Sequence, residues 1–162
     1  MTALLSPGDT FPALSVLRSG GGRISLPEDL AGAYGVVLFY RGSWCPYCNA
    51  QLRAFERAGG SLANAGARVV ALSVDDEATT AALVERHRLT MPIGYGADAT
   101  VISVATGAFV DNEGGYLQST GFILDPSGKV TISVYSSGAI GRLVPEDVVG
   151  MLRYIQEHPP VP

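Results

Sequence analysis

The chain reads as one α/β domain spanning residues 1–162, a sheet with helices packed on its faces. Three observations predict this. The apolar runs Val36 to Tyr40 and Val69 to Val74 are continuous rather than alternating, as expected of strands covered on both sides. Each run is followed by a stretch carrying helix-start signals, which gives the strand, helix, strand, helix order of an α/β unit. Towards the C-terminal end, Phe122 to Asp125 and Val130 to Tyr135 flank Pro126-Ser127-Gly128, a turn sequence that joins antiparallel strands.

From the N-terminal side, Phe11 to Arg18 and Arg23 to Leu26 are split by Ser19-Gly20-Gly21-Gly22 and form a first hairpin. Pro27-Glu28-Asp29-Leu30 starts a short turn. The central strand Val36 to Tyr40 ends at Arg41-Gly42-Ser43, and a helix begins near Pro46, whose ring presets φ and whose missing N–H has no partner at that position anyway. This helix runs to about Leu62 with Leu52, Phe55 and Leu62 on one side, and Gly59-Gly60 weakens its end. After the strand Val69 to Val74, Glu77 to Arg88 reads as a helix, and Thr90-Met91-Pro92-Ile93 restarts extended chain. Asp98 to Phe109 mixes β-branched residues with helix formers and is assigned a short helix. Asn112 to Gly115 is a Gly-rich turn. In the second hairpin, Val130, Ile132 and Val134 alternate against Thr131, Ser133 and Tyr135. The last helix opens at Pro145 with Glu146 and Asp147 in its first turn, and Val148, Met151, Leu152 and Ile155 make its apolar stripe. With no linker or repeat between them, these elements have the order of a thioredoxin fold that carries an N-terminal hairpin and a central insertion.

Composition excludes several function classes. At 162 residues with 47% hydrophobic content the chain can bury a sizeable core, and no stretch approaches the roughly 18 apolar residues of a membrane span. A net charge of −4, a pI near 5.0 and the lack of basic clusters argue against nucleic acid and anionic membrane surfaces as partners. Met1 to Pro7 has neither a basic region nor a long apolar run, so the expected location is the cytoplasm. In that reducing compartment a cysteine pair is more often catalytic than structural.

Both cysteines of the chain stand in one phrase, Trp44-Cys45-Pro46-Tyr47-Cys48, after the central strand. At the start of the helix, Cys45 meets unpaired backbone N–H groups and the positive end of the helix dipole, which favour a thiolate. Cys48 lies about one turn on, within reach of a disulfide. Cys45 is therefore the attacking sulfur and Cys48 the resolving one. Arg41, four residues before Cys45, adds a fixed positive charge that pushes the same way. A structural zinc site needs four ligands, and the two histidines, His87 and His158, stand apart without ligand spacing, as residues at solvated helix ends; no metal and no cofactor are expected. Two inert buried thiols are the plain alternative, against which the strand, CxxC, helix order weighs. Asp75-Asp76-Glu77 reads as a strand end and helix first turn, and Asp125 as a turn residue.

The phrase Phe39-Tyr40-Arg41-Gly42-Ser43-Trp44-Cys45-Pro46-Tyr47-Cys48, followed by Gln51-Leu52, resembles the peroxiredoxin-like branch of the alkyl hydroperoxide reductase and thiol-specific antioxidant family. Leu5 to Pro12, Gly121 to Lys129 and Gly141-Arg142 are similar to further phrases of that family, so the likeness spans nearly the whole chain. It implies a thiol-dependent peroxidase: Cys45 reduces hydrogen peroxide or an organic hydroperoxide, and thioredoxin, glutaredoxin or glutathione supplies electrons. It also makes a homodimer an expectation. Where the family carries the proline and threonine of its PxxxTxxC phrase, this chain has Leu38 and Gly42, and the family's active-site arginine falls near Ser119. Arg41 and Arg142 are the candidate substitutes.

Trp44, Tyr47 and Arg142 are the candidate substrate contacts, with a packed indole and a solvent-facing phenol as the bland alternatives for the first two. Cys-Pro-Tyr-Cys also resembles the glutaredoxin site, although the proline that precedes the hairpin in that group falls at Ser119 or Thr120 here. Three activities therefore remain open: peroxide reduction, thiol-disulfide exchange, and redox sensing without turnover.

Overall fold

The computed structural model describes residues 3–159, so the first two and last three residues of the 1–162 span lie outside it. Its strands are β1 (Leu14–Arg18), β2 (Arg23–Leu26), β3 (Tyr34–Phe39), β4 (Ala67–Leu72), β5 (Ile93–Tyr95), β6 (Thr120–Leu124) and β7 (Val130–Tyr135). Its helices are α1 (Pro46–Arg57), α2 (Gly59–Asn64), α3 (Glu77–His87), α4 (Ala99–Thr106) and α5 (Pro145–Glu157). The strands form one sheet in the order β2-β1-β5-β4-β3-β6-β7. β3 runs parallel to β4, and β4 parallel to β5; the remaining neighbours are antiparallel.

β3 is continuous in hydrophobicity because both of its faces are covered. Val36, Leu38 and Tyr40 face one core layer with Leu52, Phe55 and Leu152, while Val37 and Phe39 face the other with Phe11, Leu72 and Phe122. All of Val36 to Tyr40 are fully buried. Phe122 holds the second layer together through edge-to-face contacts with Phe11, Phe39 and Tyr135, with ring centroids 5.2, 5.6 and 5.6 Å away.

Several expected boundaries shift, each for a local reason. The helix expected from Pro46 to Leu62 is two helices, since the chain turns at Ala58 (φ −85°, ψ 6°) ahead of Gly59-Gly60, where helical order costs most entropy. The central strand starts at Tyr34 and ends at Phe39, and Tyr40 adds one hydrogen bond to Leu72. The strand expected from Val69 to Val74 spans Ala67–Leu72, and the first hairpin strand begins at Leu14 rather than Phe11. The short helix read between Asp98 and Phe109 is α4, capped at one end by the Asp98 carboxylate on Val101 N–H and closed at the other by Gly107 (φ 83°). His87 is not a solvated helix-end residue: it is half-buried, its Nε2 has no hydrogen-bond partner, and burial, then Arg53 and Arg86, holds its pKa below the ordinary imidazole value. His158 is exposed and stacks on Tyr154.

Candidate active site

β3 delivers the chain to the site, and the loop from Arg41 to Trp44 is then fixed at both ends. Ser43 N–H donates to Asp75, three residues past the end of β4 (2.8 Å), and Asn49 Nδ2 donates back from α1 to Ser43 C=O (3.0 Å). Cys45 has extended backbone (φ −87°, ψ 113°) and is the N-cap of α1, with Pro46 at the first helical position. Its Sγ takes the place of the usual capping oxygen and accepts from Cys48 N–H at 3.3 Å. Both sulfurs are fully buried and both are free thiols.

Each sulfur has its own arginine. Arg41 Nη1 lies 3.8 Å from Cys45 Sγ, while its Nε donates to Gln118 Oε1 (3.0 Å) and its Nη2 to Tyr116 Oη (3.1 Å). The rings of Trp44 and Tyr116 flank that guanidinium at 4.9 and 5.2 Å. Arg142 Nη1 donates to Cys48 Sγ (3.4 Å) and to Gln51 Oε1 (3.2 Å), and its Nη2 to Ala139 C=O (2.6 Å). Gln51 is anchored in turn by its Nε2 on Leu143 C=O (2.9 Å). Arg41 N–H also donates to Cys48 Sγ, at 3.3 Å.

These contacts pull the two thiols apart. Burial is the largest influence on Cys45 and opposes ionisation, but hydrogen bonds from the Cys48 thiol and amide, then Arg41 and the charge of Arg142, outweigh it and hold its pKa below that of an ordinary thiol. Burial, then donation of its own thiol hydrogen to Cys45, raises Cys48, and Arg142 only offsets part of this. Cys45 is therefore the sulfur that ionises first, and Cys48 the one that holds its proton longer.

Arg41, Cys45, Cys48 and Arg142 thus come together as one site. Trp44 is more than half exposed, packs edge-on against Tyr116 and covers Gly42, where any Cβ would collide with its indole. The indole occupies the space that a side chain at position 42 would take. Tyr47 is 55% exposed and has no hydrogen bond to either sulfur. Asp75 is not merely a strand end, since it pins the cysteine loop, whereas Asp76 caps α3 and Asp125 shapes the hairpin turn. Sequence reasoning missed Tyr116, Gln118 and Asn49, and had Gln51 only as part of the family phrase without a role. Tyr116 and Gln118 follow a turn without any motif; the only signal for them is that Arg41 needs partners where it enters the interior.

An acidified cysteine capping a helix after a central strand, with a second thiol one turn on and an arginine at each sulfur, is the site of a thiol-dependent oxidoreductase. The AhpC/TSA family model matches residues 7–133, and the chain belongs to that family. A provisionally named peroxiredoxin of Mycobacterium tuberculosis is 30% identical over 148 residues, which covers 88% of this chain and 92% of that one. A peroxiredoxin of Treponema denticola is 28% identical over 153 residues, covering 92% of this chain and 73% of its own. In fold, the chain matches the crystal structure of peroxidoxin BcpB from Mycobacterium tuberculosis with a TM-score of 0.79 at 22% identity, covering 93% of this chain and 98% of the other. It matches Enterococcus faecalis AhpC with a TM-score of 0.82 at 18% identity, covering 98% and 99%.

Proposed function

We propose that the protein is a peroxiredoxin-like peroxidase in which Cys45 reduces a hydroperoxide and Cys48 resolves the product. The observation that carries this reading is the divided pair: Cys45 stabilised as thiolate by the helix start and Arg41, Cys48 kept as thiol. The Cys45 thiolate attacks the terminal oxygen of ROOH and the O–O bond breaks. The alkoxide leaves and takes a proton to become ROH, or water when the substrate is hydrogen peroxide. Arg41 is the cation placed to steady the oxyanion as charge moves from sulfur to oxygen. The Cys48 thiol then attacks the sulfenic sulfur of Cys45, and its hydroxyl departs as water to leave a disulfide.

Two electrons from a thiol reductant restore the pair, and thioredoxin, glutaredoxin and glutathione are the candidates. A homodimer in the cytoplasm completes the reading. Among the described residues no helix is long and apolar enough to cross a membrane.

A second reading rests on a specific observation: the threonine and arginine of the family phrase are replaced, while the Cys-Pro-Tyr-Cys spacing suits disulfide exchange. Single-turnover oxidation of the reduced protein decides between them. A larger second-order rate with hydrogen peroxide than with a glutathione mixed disulfide supports the peroxidase, and the reverse order supports exchange.

A further inference from the structure

β5 has three residues, and its shortness opens the sheet. Ala71 N–H donates to Pro92 C=O at 3.1 Å, so in this parallel ladder the peptide groups of Val69 and Ala71 face the same side. Continuing the register, the Val69 carbonyl is aimed at the nitrogen of residue 92, which is proline and has no hydrogen to donate. Val69 N–H has no backbone partner along Thr90 to Pro92 among the described residues. The ladder therefore stops, and a cleft of about 570 Å³ takes its place.

The floor of this cleft is apolar and joins the two core layers. Ile24, Leu30 and Val70 come from one, Phe55, Leu62 and Met91 from the other. Four charged side chains also line it, and they differ in what they have left to offer. Glu56 accepts from Thr90 N–H (2.7 Å), Thr90 Oγ1 (2.5 Å) and Met91 N–H (3.3 Å), and Asp29 accepts from Ser25 N–H (2.8 Å). The guanidiniums of Arg18 and Arg68, both exposed, have no hydrogen-bond or ion-pair partner among the described residues. Glu56 is committed internally and Asp29 through one of its oxygens, which leaves two guanidiniums and the Val69 N–H as free donors beside an apolar floor. That is the complement of a carboxylate with a hydrocarbon tail.

We propose that this cleft binds an amphipathic monoanion, an acyl carboxylate, with its tail on the floor and its headgroup held by Arg18, Arg68 and Val69 N–H. The volume falls within the roughly 300–1,000 Å³ of small-ligand sites. It is a separate site from the thiols. Cys45 caps the start of α1 and Phe55 lies near its end, roughly 15 Å along the helix axis.

The test is a titration of the reduced, ¹⁵N-labelled whole chain with octanoate below its micelle concentration, with 1-octanol as the neutral control. Saturable amide shifts are expected at Val69, Met91, Leu30 and Gly59, without shifts at Cys45 and Cys48. The double variant Arg18→Gln/Arg68→Gln, altered only at exposed positions, should bind octanoate about tenfold more weakly while its octanol response stays as in the wild type. Three results overturn the proposal: no saturable shift around the cleft, shifts confined to residues near Cys45, or equal octanoate affinity in the double variant.

Discussion

Arg41 and Arg142 divide the two sulfurs between them, one guanidinium for each. For Arg41 the consequence is a lower Cys45 pKa, so Arg41→Met should move the pH midpoint of iodoacetamide alkylation upward and slow peroxide reduction near neutral pH about tenfold. An unchanged midpoint would assign the thiolate to the helix start and Arg142 alone. Arg142 touches Cys48 directly and reaches Cys45 only through its charge. Arg142→Met should leave the first oxidation step close to wild type and slow disulfide closure, measured as a longer lifetime of the Cys45 sulfenic acid trapped with dimedone; equal effects on both steps would contradict this division. The placement of the two cysteines and Arg41 was legible in the sequence because it follows from position relative to a strand end and a helix start. Arg142 was visible only as a resemblance, and its partner Cys48 could not be read from a separation of 94 positions. Gly42 shows the same limit: a missing threonine is readable, but the indole that fills its space is not.

At the scale of elements, α1 couples chemistry to local order, because Cys45 Sγ caps the amide of Cys48. Closing the disulfide takes that acceptor away and rearranges one turn. Amide exchange should therefore change on oxidation only from about Ser43 to Gln51, with the rest of α1 and the far-ultraviolet dichroism nearly constant. Loss of protection through to Arg57 would show that the pair is strained or that Cys48 bonds elsewhere. The strands and helices were readable wherever burial sets the pattern, as in β3, or where the helix-start chemistry is explicit, as at Pro46 and Pro145. What the pattern did not show was how far β5 extends. Its length depends on Pro92 meeting β4 across the sheet, a contact that no periodicity within one segment encodes.

For the whole molecule, stability and reactivity should separate. Phe122 is fully buried and touches three other aromatic rings in the layer that does not contain the cysteines. Phe122→Ala should cost about 3–5 kcal/mol in denaturant unfolding while leaving the Cys45 alkylation midpoint in place. Linkage gives a second separation. Cys45 titrates below its unfolded value of about 8.5, so the native state releases its proton first. Its contribution to stability is fully present above that unfolded value and is lost as pH falls through the folded pKa. The melting temperature of the reduced wild type relative to Cys45→Ser should accordingly rise as pH increases towards about 8.5, and a flat difference would deny the lowered pKa. The layered sheet itself followed from the order of apolar runs, whereas the placement of the first hairpin at the far edge, beside β5, depends on contacts between distant segments.

The assignment of Cys45 as the sulfur that meets peroxide is tested most directly in the Cys48→Ser protein, treated with one equivalent of hydrogen peroxide in the presence of dimedone and read by mass spectrometry. The geometry predicts a single adduct on Cys45, formed at a rate close to the wild-type oxidation step, because the helix cap and Arg41 remain in place. Peroxide consumption at the wild-type rate by Cys45→Ser, with the adduct on Cys48, would contradict it.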